Sequence, residues 1–118
     1  MLLIKRSQLD QIKKVRREAY LTHFVRLLRE EGLVDAATAD AAVKSKINVY
    51  YLEAKKFNLF AEKNINVFVY ASFALGARFY EEDESLKKVL SDFEVTEDER
   101  AAILEAAAES AAAKISAE

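Results

Sequence analysis

Asn64-Ile65-Asn66-Val67-Phe68-Val69-Tyr70-Ala71-Ser72-Phe73-Ala74-Leu75-Gly76-Ala77 is the longest uncharged run of the chain, and its conformation decides the fold. Ile65 to Tyr70 consists largely of residue types that favour strands. A strand here would find no partner elsewhere in the sequence, and an isolated strand is unstable. Read as a helix, the segment places Ile65, Phe68, Val69, Ser72, Phe73, Gly76 and Phe79 on one face. Val67, Tyr70, Ala71 and Ala74 then fall on another, so the helix is apolar almost all round and belongs at the centre of a bundle. Its fourteen residues fall short of the roughly 20 that span a bilayer. The expectation is an all-α, single-domain bundle of four to five helices around a central helix over about residues 62–79.

The flanking sequence supplies the other helices. Toward the N-terminus, the first is expected to run from a Ser7 cap, with Asp10 in its first turn, to about Glu31, where Gly32 ends it. Leu9, Ile12, Ala19, Tyr20, Phe24 and Leu27 mark its apolar face, with Arg16 and His23 on or beside it. Asp35 and Thr38 offer caps for a second helix that reaches about Phe57 through Val43, Ile47, Tyr50, Tyr51 and Ala54. Asn58 follows in a turn, a residue that tolerates positive φ.

Beyond Phe79, Tyr80-Glu81-Glu82-Asp83-Glu84 reads as an acidic turn, with Ser85 capping a short helix through Leu86, Val89 and Leu90. Thr96-Glu97-Asp98-Glu99 is a capping box, and it opens a last helix carrying Ile103, Leu104, Ala107, Ala108, Ala111 and Ile115. Residues 1–118 form one domain in this reading, with residues 1–6 and 113–118 frayed.

Charge is segregated along the chain. Residues 5–31 hold eight Lys or Arg against four Asp or Glu, whereas residues 81–118 hold four against twelve. The expectation is that the acidic end packs beside the basic first helix or screens it. A pI near 5.6 lacks the overall basic footprint of most nucleic-acid binders, so nucleic acid is not an expected partner. Met1-Leu2-Leu3-Ile4 turns charged at Lys5-Arg6, too short a run for a signal peptide. With no cysteine there is no disulfide framework, and a reducing cytoplasm is the expected location.

Catalytic chemistry finds little to work with. Glu81, Glu82, Asp83 and Glu84 are neighbours in one polar turn and so should be similarly ionised, unlike the contrasted pair that acid–base catalysis needs. His23 is the only imidazole, so a zinc site would depend on carboxylates alone. The two glycines, Gly32 and Gly76, form no phosphate loop. No catalytic residue, metal or cofactor is expected.

Several short motifs occur in an order that resembles a known group. These are Leu3-Ile4-Lys5-Arg6-Ser7-Gln8-Leu9, Phe24-Val25 with Leu28-Arg29-Glu30, Ala54 with Phe57-Asn58-Leu59, and Leu75-Gly76 with Phe79 and Glu82-Asp83. Together they resemble small all-helical proteins encoded in bacterial type VI secretion clusters beside spike and effector genes, over roughly residues 3 to 104. The chain departs from that pattern in having Asn58 in place of Gly, no Thr cap near Ala61, and no Pro or Trp after the acidic turn. The resemblance implies a bacterial cytoplasmic, non-enzymatic role as adaptor, chaperone or immunity protein, with an effector or spike component as partner.

Surplus apolar surface and segregated charge agree with protein–protein interaction. Arg16, Arg17, Tyr50, Tyr51, Tyr70 and Tyr80 are the candidate contact residues, and Glu81, Glu82, Asp83 and Glu84 the candidate steering charge. Two alternatives stay open. One is a ligand-binding protein or enzyme that uses His23 with a carboxylate in an aromatic-lined pocket. The other is a structural dimer that hides the central segment between two copies.

Overall fold

The computed structural model describes the backbone of residues 6–117 and the side chains of residues 16–114. Within them the chain is all-α: α1 (Arg6–Glu30), α2 (Asp40–Lys56), α3 (Glu62–Leu75), α4 (Phe79–Glu82), α5 (Glu84–Ser91) and α6 (Glu97–Ala117). The run opened above is indeed helical. α3 packs most extensively against α6 and next against α2, while α1 lies on α2. The result is a flat body of 52 × 41 × 19 Å with α3 at its centre.

Ile65, Phe68, Val69, Ala71 and Ser72 of α3 are all buried, so one face of the central segment is covered within one chain, while Asn66, Val67 and Tyr70 stay partly open. Phe68 packs its ring against Phe57, Phe79 and Tyr80. The buried Ser72 hydroxyl donates to the Phe68 carbonyl one turn back, at 2.9 Å.

Helix ends follow backbone chemistry. After α1, Gly32 adopts φ 72°, while the Leu33 amide donates to the Leu28 carbonyl and the Gly32 amide to Arg29. This paired closure satisfies carbonyls that the helix end leaves open. α2 closes in the same way around Asn58, at φ 57°, with the Leu59 amide on Ala54 and the Asn58 amide on Lys55. Asn58 therefore takes the left-handed position that glycine most often fills.

Four boundaries differ from the sequence reading. The central helix stops at Leu75 instead of Phe79, because Gly76 turns to φ 109° and Arg78 to φ 55°. Phe79 instead begins the one-turn α4, so part of the acidic stretch is helical. Neither Asp35 nor Thr38 caps α2, whose N-cap is Ala39. Asp35 builds the preceding turn, its carboxylate accepting from the Ala37 amide and its carbonyl from Thr38. Asp83, not Ser85, caps α5 by accepting from the Leu86 amide.

The Thr96 cap of α6 is present, with its hydroxyl accepting from the Glu99 amide at 3.2 Å. α6 extends through Ala117. The Ser7 cap, Asp10, Leu9, Ile12, Ile115 and the fraying expected of residues 1–5 lie outside the described residues or side chains.

Candidate protein-binding groove

α1 buries a stripe rotated from the expected one. Leu21, Phe24, Val25 and Leu28 enter the core, whereas Ala19 and His23 are exposed and Leu27 is 44% exposed. The helix thus carries two apolar stripes at helical spacing and buries only one.

The uncovered stripe forms one wall of a groove of about 440 Å³. α1 contributes Tyr20, His23, Phe24 and Leu27, α3 forms the floor with Asn66, Val67 and Tyr70, and α6 the far wall. Three carboxylates join the lining, Glu31 just past α1 and Glu105 and Glu109 on α6. Among the described residues the ion pairs are Arg29–Asp40, Lys44–Glu18 and Lys63–Asp98. No groove carboxylate belongs to any of them.

The chemistry of the groove follows from this lining. The Tyr20 hydroxyl donates to Asn66 Oδ1 at 2.7 Å, tying α1 to α3. Burial pushes its phenol up to about 12 against the opposing pull of the Arg17 guanidinium. Tyr70 is also raised, by burial first and then by the carboxylates of Glu31 and Glu109. The groove therefore combines apolar and aromatic side chains with three carboxylates.

The expected contact residues do not assemble on one surface. Arg17 is half-buried, donates to Asn48 Oδ1, and lies 5.3 Å from the ring centre of Tyr20 and 4.6 Å from that of Tyr51. That pairing is cation–π packing between α1 and α2. Tyr50, only 8% exposed, meets Phe73 edge-on inside the core and offers no contact surface. Tyr80 is half-buried against Phe57, Phe68 and Phe79. Arg16 is exposed, as are Glu81, Glu82, Asp83 and Glu84, but none of the five lines the groove. Only Tyr70 of the expected set does.

Sequence reasoning missed the polar joints that hold the groove walls. Glu97 Oε1 accepts from the amides of Phe60 and Ala61 and from Asn64 Nδ2, at 3.1, 2.7 and 2.8 Å. Since Ala61 is the N-cap of α3 and has no capping oxygen, a carboxylate from α6 serves in place of a local cap. Asn64 uses its second amide hydrogen on Asp98, at 2.8 Å. Hydrogen bonds from Asn64 hold both carboxyls below their usual range.

Arg100, 3% exposed, sends its guanidinium to the carbonyls of Phe57, Leu90 and Val95 at 2.6, 3.1 and 3.2 Å. It thereby binds the C-terminal ends of α2 and α5 to α6, where the helix dipoles favour a cation. The capping-box reading had drawn attention to this segment, but nothing in sequence spacing marks Arg100 as buried.

Comparison with known proteins finds no match: no family model fits the chain, and no curated protein or solved structure is similar to it. No helix among the described residues is long and apolar enough to cross a membrane, and no group of three or more His, Cys, Asp or Glu there could hold a metal ion.

Proposed function

We propose that this protein is a non-catalytic binding module whose α1/α3/α6 groove takes a basic amphipathic helix of a partner protein. The observation that carries the reading is the groove itself, apolar side chains at Phe24, Leu27 and Val67 beside Glu31, Glu105 and Glu109, carboxylates without an ion pair among the described residues. An amphipathic helix fills such a groove with its apolar face, and Lys or Arg on its flanks meets the carboxylates. With the motif order noted in the sequence, the biological setting we propose is accessory service to a type VI effector or spike protein as adaptor, chaperone or immunity protein. Genes for a spike or toxic effector beside this one support that setting, and a metabolic operon overturns it.

Binding itself is tested with a fluorescent helical peptide of alternating Leu and Lys faces. Its affinity should fall at least about tenfold in Glu105→Lys/Glu109→Lys. Equal affinity for the variant and the unaltered protein overturns the docking reading.

His23 in the same groove supports a second reading, a small-ligand site that pairs the imidazole with a carboxylate among Tyr20, Phe24 and Tyr70. His23→Ala should then abolish ligand binding without loss of thermal stability. Retained binding removes this alternative.

A further inference from the structure

The chain carries in its own first helix the chemistry that its groove accepts. Residues 5–17 hold Lys5, Arg6, Lys13, Lys14, Arg16 and Arg17 against Asp10 alone. Leu9 and Ile12 continue the helical spacing of the uncovered stripe at Ala19 and Leu27. This basic segment cannot serve its own groove, because α1 is one continuous helix of 25 residues, about 37 Å long at about 1.5 Å per residue. Its first half points away from the groove that its second half lines.

We propose that the first half of α1 from a second copy occupies the groove, giving an antiparallel two-fold dimer in which each basic half-helix lies along the other chain's Glu31, Glu105 and Glu109. This rests on the docking reading above and adds to it that a partner helix must displace the second copy. A two-fold axis near Glu18 sets residues 20–30 of one chain along residues 6–16 of the other. One helix pair thus buries both stripes and both charge sets at once, as an isologous interface requires. The ion pairs found among the described residues leave the groove carboxylates uncommitted.

Sedimentation equilibrium of the full chain tests the dimer. The unaltered protein should dimerise at low salt. It should dissociate as ionic strength rises from about 0.01 M to about 1 M, which shortens the Debye length from about 30 to about 3 Å.

Glu105→Lys/Glu109→Lys and Lys13→Glu/Lys14→Glu should each weaken the dimer at least about tenfold, with unchanged helical circular dichroism. A mixture of the two double variants should form heterodimers, because both contact sets are then complementary, one with the native charges and one with them reversed. A monomeric unaltered protein overturns the inference, as does a dimer indifferent to both charge reversals.

The Lys13→Glu/Lys14→Glu chain keeps its groove intact, so the inference predicts that it binds the basic peptide more tightly than the unaltered protein does. Equal binding by a monomeric unaltered protein sinks the dimer while leaving the docking groove standing. Loss of peptide binding by every form sinks the groove.

Discussion

Arg100 is a buried cation without a carboxylate partner, held instead by carbonyls at the ends of two helices and the turn before a third. Its guanidinium satisfies the carbonyls of Phe57, Leu90 and Val95. Arg100→Met should therefore cost about 1–3 kcal/mol, because it leaves buried carbonyls without a donor. Urea denaturation of the variant measures it, and a loss below about 1 kcal/mol would mean that water replaces the guanidinium.

Asn64 sets a pH dependence. Glu97 and Asp98 have folded values below their unfolded ones, so their contribution is complete above the ordinary carboxylate range, about 4. It is lost as pH falls further through the folded values. Asn64→Ala should flatten the stability curve over that acid window, as followed by thermal melting. At the alkaline end, Tyr20 titrates in the folded protein at about 12. Stability it contributes is full below the free phenol value of about 10 and is lost as pH rises through the folded value.

Among the elements, α3 was the hardest to read, because Ile65 to Tyr70 favours strands by residue type and only the absence of a partner strand argued for a helix. Phe68 is fully buried on it, and Phe68→Ala should cost about 3–5 kcal/mol. A loss under about 1 kcal/mol in chemical denaturation would place the centre of the core elsewhere.

The stopping point of α3 was not legible. Gly76 fits either a continuing apolar face or a left-handed exit, and the choice depends on Phe79 restarting as α4 against Phe68. α1 posed a similar ambiguity, since Leu21, Phe24, Val25 and Leu28 recur as regularly as Ala19, Tyr20 and Leu27. Periodicity marks both stripes, and only the position of α2 and α3 selects the one that is buried. Local capping signals fared unevenly for the same reason. Thr96 acts within its own helix, whereas Ala61 is served by Glu97 across a long separation in sequence.

For the whole molecule, the segregated charge acquires a spatial meaning. The acidic last helix faces part of the first one. It sets Glu105 and Glu109 beside the second half of α1, with Glu31 nearby. That meeting of residues far apart in sequence was illegible before folding, which is why the contact residues proposed from sequence share only Tyr70 with the groove.

The docking claim is tested most directly by amide chemical-shift mapping, in which a basic amphipathic peptide is titrated into the isotope-labelled protein. The account predicts that the largest changes fall on residues 20–31, 66–70 and 105–109, and that they shrink in Glu105→Lys/Glu109→Lys. Shifts confined to the acidic turn at residues 81–84 or to the outer face of α2 would contradict it.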